Sequence, residues 1–192
     1  MSATEIKIGG LGGQGVILAG MIIGRGASIY DNKYATLTQA FGPEARGSAC
    51  SAQIIVSGAP VAYPYVHHPH ILVVMSQEAY VRFVPELVPD GLLLYESDLV
   101  QPRNLPAGVT HYGIPSTRFA EEFKRPMVSN IVMVGFFGAM CSLVTVGALR
   151  QSVEASVPPG TETLNLAAFD RGLQFGRDLF SHKPATVAQR PT

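Results

Sequence analysis

Residues 9–15 read GGLGGQG, directly after the short alternating stretch Glu5-Ile6-Lys7-Ile8. Five glycines in seven positions leave a length of backbone with almost no side-chain cover. Bare backbone N–H groups are donors, so the chemistry such a loop offers is the holding of an anion, phosphate above all. Gly10, Gly12 and Gly15 fit the pattern G-x-G-x-x-G, with Gly13 and Gln14 completing the loop. In that pattern the first glycine permits a tight turn and the second lets backbone approach a diphosphate. The third lets the following helix pack closely, its N-terminal N–H groups aimed at the anion. A dinucleotide reader also needs a carboxylate about 20 residues on, at the end of the second strand, for the ribose hydroxyls. Here that strand ends Leu37-Thr38-Gln39 without one, and Asp31 precedes it, on what would be the opposite edge. NAD is therefore disfavoured. Gln14-Gly15-Val16 also lacks the Gly-Lys-Ser/Thr of a P-loop. Arg25, Lys33 and Arg46 are cations that would better suit a phosphate ligand.

A second unusual stretch is AFGPEARGSACSAQIIVS. Gly42-Pro43 marks a turn, Glu44 and Arg46 stand two apart, and Gly47-Ser48 leads the chain into a strand with little bulk. In a doubly wound sheet this loop falls near the carboxyl edge, where such folds bind ligands. The plainer reading is an internal Glu–Arg pair on a solvated loop. Ser129 and Asn130 have two readings as well: caps for the helix they begin, or donors aimed into the crevice. His67, His68 and His70 invite a metal, but HHPH brings no cysteine or orienting carboxylate with it, and a loop at a subunit contact is the plainer expectation. Cys50 and Cys141 belong to no CxxC pair, which excludes a disulfide framework or a four-thiolate cluster within this chain. No Ser/His/Asp arrangement stands at a readable spacing, and Glu121-Glu122 reads as a charged helix face.

The elements that must position these residues alternate along the chain. A strand at about 5–9 runs through the glycine loop into a helix from Gln14 to Tyr30. Strands follow at Tyr34–Leu37, Ser51–Ser57 and Ile71–Met75, then a helix over about 77–88, and strands at Leu92–Tyr95 and in VTHYG. A short helix around TRFAEEF, a long apolar helix and an amphipathic helix near Leu166–Phe180 close the chain. Apolar strands alternating with helices predict an α/β fold: a doubly wound, largely parallel sheet with helices on both faces and a Rossmann-like glycine loop after the first strand. One domain over 1–181 and a frayed tail at 182–192 are expected.

Between Arg125 and Arg150 there is no charge, a length that could cross a bilayer. Ser129, Asn130, Ser142, Thr145 and the glycines within it favour a helix buried against protein. Lys+Arg and Asp+Glu are both 14, so net charge points to neither nucleic acid nor an anionic membrane. With 47% apolar and only 15% charged residues, an obligate protein partner is expected. MSATEIKI carries no secretory signal, which suggests the cytoplasm.

GGLGGQGVILAG, TLTQAFGPEARGSACSAQIIVS, YPYV, the strand ILVVM with its SQEAY sequel, and SNIVMVG together resemble the gamma subunit of 2-oxoacid:ferredoxin oxidoreductases. The 2-oxoglutarate type is the nearest likeness, over about residues 5–180. The sequence departs from the family at Phe41 (tyrosine is usual), at Ser48 (glycine) and at His70 (an acidic residue). The resemblance implies a heteromeric enzyme that decarboxylates a 2-oxoacid with thiamine diphosphate and passes electrons through iron–sulfur clusters to ferredoxin. Coenzyme A accepts the acyl group. This chain has no thiamine signature and no cluster ligands, so thiamine diphosphate, magnesium and the clusters are expected on the alpha and beta subunits. The share implied here is support beside the thiamine site and part of a coenzyme A site, at Gly10, Gly12, Gly13, Gln14, Gly15, Arg46, Gly47 and Asn130, with no catalytic residue. Two alternatives stand beside it. One is an assembly subunit with no ligand of its own; the other is an independent nucleotide-binding oxidoreductase.

Overall fold

A computed structural model describes residues 3–41 and 49–181. Six strands form one sheet: β1 (Thr4–Leu11), β2 (Tyr34–Ala40), β3 (Ala49–Ser57), β4 (Ile71–Val74), β5 (Leu92–Glu96) and β6 (Thr110–Ile114). Their spatial order is β2-β3-β1-β4-β5-β6. β1, β4, β5 and β6 pair in parallel, whereas β3 runs antiparallel to both β1 and β2. The sheet is thus mixed, with one strand reversed. The reason lies in the connection: antiparallel neighbours need only a short link, and no helix pattern separates β2 from β3, whereas parallel neighbours need a long crossover.

The helices follow the strands as α1 (Val16–Arg25, prolonged by a π turn over Gly26–Tyr30), α2 (Gln77–Phe83) and α3 (Ser116–Glu122). After these come α4 (Ser129–Met140), α5 (Val146–Ser156) and α6 (Glu162–Ser181). Strand alternation sorts side chains to two cores. Ile6 and Ile8 of β1 point into the larger core with Val73, Phe136 and Phe169, under α1 and α3–α6. Leu72, Val74 and Leu93 point the other way, against Tyr80 and Phe83 of α2. Lys7 shares that second face; it is buried, ion-paired with Glu86 and set over the Phe83 ring. β4 is buried along its whole length, as a central strand covered on both sides must be.

The uncharged stretch after Arg125 is not one long helix. It divides into a 3-10 turn at Pro126–Val128, the twelve residues of α4, and a break before α5. Thr145 opens α5 as its N-cap, its hydroxyl accepting from Ala148 N–H at 3.2 Å. No helix among the described residues is long and apolar enough to cross a membrane. α4 is buried because it is wrapped by protein: α6 crosses it so closely that a Cβ at Gly135 would fall on the Phe169 carbonyl, and one at Gly172 on the Val132 carbonyl.

Candidate functional site

The glycine loop leaves the carboxyl end of β1, between β3 on one side and β4 on the other. Here the winding of the sheet changes direction. From β1 the chain crosses over one face through α1 to β2, and from β4 it crosses the opposite face through α2 to β5. The crevice between the ends of β1 and β4 is therefore the topological switch point, where open α/β sheets bind ligands.

Gly10, Gln14 and Gly15 have separate tasks in the loop. A β-turn closes with Gln14 N–H donating to the Leu11 carbonyl at 3.1 Å. The Gln14 side chain folds back into the crevice: Oε1 accepts from Leu11 N–H at 2.7 Å and Nε2 donates to the Met75 carbonyl at 2.9 Å. Gly10 makes room for it, since a Cβ there would stand 2.7 Å from Gln14 Oε1 and from Val16 Cγ2. Gly15 is the N-cap of α1 at φ 71°, a left-handed conformation that glycine adopts freely. A Cβ at Gly15 would also fall on the Asn130 amide. Gly13, at φ 100°, is the open member: a Cβ there would meet nothing within 4 Å.

Asn130, at the start of α4, is buried; its Nδ2 donates to the Gly15 carbonyl at 3.1 Å and its Oδ1 accepts from Ile131 N–H at 2.9 Å. Both of its amide atoms are occupied within the chain, so it acts as the floor of the loop. α1 has no side-chain cap, and the first N–H groups of the helix have no protein acceptor among the described residues. The other helix starts on this edge differ in part. Ser76 caps α2 by accepting from Ala79 N–H at 3.2 Å. Buried Glu96 accepts from Thr117 N–H at 2.7 Å and from the Ser116 hydroxyl at the start of α3.

Of the residues expected at the site, Gly10, Gly12, Gly13, Gln14, Gly15 and Asn130 are gathered here. Arg46 and Gly47, with Glu44, lie outside the described residues; the flanking Ala49 pairs with Leu11, at the glycine-loop end of β1. Arg25 and Lys33 are not at the loop. α1 carries the chain about 15 Å back toward the amino edge at 1.5 Å per residue. There Arg25 donates to the Ala155 carbonyl and Ser156 Oγ, and Lys33 pairs with Asp31 and the Leu143 carbonyl. Asp31 is likewise on the far edge, accepting from Thr145.

The histidines do not converge. His70 Nδ1 accepts from Glu5 N–H at 3.0 Å, while His67 stacks on Tyr63. No group of three or more metal-ligating side chains is placed to hold a metal among the described residues. Cys50 lies in β3 and Cys141 just past the end of α4, and burial pushes the Cys141 thiol up to about 12.

One feature of this edge carries no motif and escapes a reading of the sequence: a cleft of about 460 Å³ lined by Gln77, Ser97, Asp98, Leu99, Gln101 and Arg103. It opens beside the ends of β4 and β5 because the irregular segment after Glu96 doubles back over the start of α2. Gln101 N–H donates to Gln77 Oε1 at 2.8 Å there.

Known proteins share this sequence pattern and fold. The pyruvate ferredoxin/flavodoxin oxidoreductase family matches residues 5–175. The 2-oxoglutarate synthase subunit KorC of Methanocaldococcus jannaschii is 44% identical over 91% of this chain and 95% of its own length. KorC of Methanothermobacter marburgensis is 41% identical over 88% of this chain and 94% of its own. Among solved structures, the keto/oxoacid ferredoxin oxidoreductase gamma subunit of Geobacter sulfurreducens superposes with a TM-score of 0.79 at 34% identity, covering 90% of this chain and 98% of that one. The 2-oxoglutarate:ferredoxin oxidoreductase of Magnetococcus marinus, solved with 2-oxoglutarate, coenzyme A and succinyl-CoA bound, shares the fold at a TM-score of 0.81 and 22% identity, over all of this chain and 34% of that one. This chain is a member of the pyruvate ferredoxin/flavodoxin oxidoreductase family.

Proposed function

We propose that this chain is the gamma subunit of a heteromeric 2-oxoacid:ferredoxin oxidoreductase of the 2-oxoglutarate type, and that its glycine loop holds the diphosphate of coenzyme A. The observation that carries the assignment is the likeness to KorC, 44% identical over 91% of this chain and nearly the full length of that subunit. Ketoisovalerate oxidoreductase subunit VorA of Methanothermobacter thermautotrophicus supports the dependence on partners. It is 27% identical over 91% of this chain but only 37% of its own length, so a unit like this one is there joined to a longer chain.

Coenzyme A fits the residues present. Gly13 leaves the approach clear, and the uncapped start of α1 offers N–H groups and the positive end of the helix dipole. When bound, coenzyme A supplies the thiol that accepts the acyl group. The chain's own part is to bind and orient: Gln14 and Asn130 fix the loop, and backbone donors meet the anion. Thiamine diphosphate, magnesium and the iron–sulfur clusters belong to the alpha and beta partners, and ferredoxin takes the electrons. The oxidoreductase chemistry then takes place within the assembly, in the cytoplasm.

A second reading has a specific observation behind it. Both amides at the loop, Gln14 and Asn130, are already satisfied within the chain, as they would be if the loop only packed against a partner. Co-expression with candidate alpha and beta chains tests the assignment. The assembled complex should reduce ferredoxin only when 2-oxoglutarate and coenzyme A are both supplied, and this chain alone should be colourless and inactive. Activity that persists in full without this chain would overturn it.

A further inference from the structure

We infer that the cleft beside the ends of β4 and β5 holds a second anionic group of the same ligand, the phosphate on the ribose of coenzyme A, with Arg103 as its anion-binding residue. The inference rests on the coenzyme A reading above. Position is the first argument. β4 lies between β1 and β5, and neighbouring strands stand about 4.8 Å apart, so the cleft begins roughly 5–10 Å from the glycine loop. Gln14 bonds the Met75 carbonyl, and Gln77, two residues on, lines the cleft. In coenzyme A a single ribose separates the diphosphate from the other phosphate, a span of that order.

Arg103 is held in place although its segment has no regular structure. The Tyr80 hydroxyl accepts from Arg103 N–H at 2.8 Å and donates to the Arg103 carbonyl, so one buried tyrosine pins both backbone groups of that residue to α2. The guanidinium itself donates from Nη2 to Gln101 Oε1 at 3.0 Å and has no carboxylate within ion-pair range among the described residues. Its remaining N–H groups form the planar fork that phosphate oxygens accept.

The one carboxylate on the cleft does not cancel this charge. Asp98 is taken up by Arg118, whose Nε donates to Oδ2 at 3.1 Å and whose Nη2 donates to Oδ1. The uncompensated charge in the cleft is positive. The Ser97 hydroxyl and the Gln77 amide add neutral donors, and Leu99 presents an apolar wall that a sugar or base can lie against. A volume of about 460 Å³ is within the usual range for small-ligand pockets.

The test compares coenzyme A with 3′-dephospho-coenzyme A as acyl acceptors for the assembled oxidoreductase, in wild type, Arg103→Ala and Arg103→Lys. Loss of one charge-assisted bond should raise KM for coenzyme A about ten- to a hundredfold in Arg103→Ala, with kcat kept. Lysine should restore part of it. KM for the dephospho compound should be the same in wild type and Arg103→Ala. Equal rises for both acceptors, or no rise for either, would overturn the role of Arg103 while leaving the glycine-loop reading standing. A wild-type complex that ignores coenzyme A altogether would remove that reading, and this one with it.

Discussion

The Gln14 side chain ties the end of β1 to the end of β4: Nε2 donates to the Met75 carbonyl at 2.9 Å while Oε1 accepts from Leu11 N–H at 2.7 Å. The glycine loop thus keeps its shape through a bond across the crevice rather than through its own sequence. Replacing Gln14 by leucine keeps the bulk and leaves both backbone groups without partners. A loss of about 1–3 kcal/mol per buried group is expected, read as a lower urea midpoint.

The glycines divide into those that packing requires, such as Gly15 and Gly172, and those, such as Gly13, where a Cβ would meet nothing within 4 Å. Gly15→Ala combines a φ of 71° with a Cβ that falls on the Asn130 amide, and Gly172→Ala drives a Cβ onto the Val132 carbonyl between α6 and α4. Both should lower the melting temperature strongly, by the several degrees or more that 2–3 kcal/mol represents in a domain of this size. Melts within a degree of wild type would mean that the α4–α6 crossing is looser than described.

Asp31 sets a dependence on acid. Burial alone would raise its pKa, but the Thr145 hydroxyl and N–H, each at 2.7 Å, and the charge of Lys33 outweigh it and hold the carboxyl below the ordinary 3.8. A depressed folded pKa contributes stability above the unfolded value and loses it as pH falls through the folded one. Asp31→Asn should therefore be less stable than wild type at neutral pH, and the gap should close in acid. Denaturation at pH 7 and near pH 3 measures it; a gap that does not change with pH would refute the linkage.

Much of the fold could be read from the sequence, because its signals are local. The apolar run of β4 and the helix pattern that follows it each announce an element without reference to distant chain. The reversal of β3 was less legible, since strand direction depends on how a connection travels and not on the strand's own residues. The uncharged run predicts one long helix because absence of charge does not mark where a helix ends: α4 stops at Met140, and beyond the break only Val144, Ala148 and Leu149 of the run return to the core. Within the candidate site, spacing and helix-start chemistry single out the loop glycines and Asn130, which the structure brings together. Their division of labour was not legible: that Gln14 reaches Met75, and that Asn130 lies beneath Gly15, are contacts across 61 and 115 residues. Arg103 gave no signal at all, because its position depends on a single tyrosine hydroxyl in another element.

An anion seated against the loop at Gly13 is tested directly by one pair of variants. Gly13→Asp and Gly13→Asn have nearly the same shape and the same backbone strain at φ 100°, in a place where a Cβ meets nothing, and they differ in charge. Calorimetric titration of the assembled oxidoreductase with coenzyme A should show the aspartate variant binding at least about tenfold more weakly than the asparagine variant, with the gap shrinking in high salt. Equal affinities in the two variants, in a complex that stays assembled, would contradict an anion at Gly13 and leave the loop as a contact between subunits.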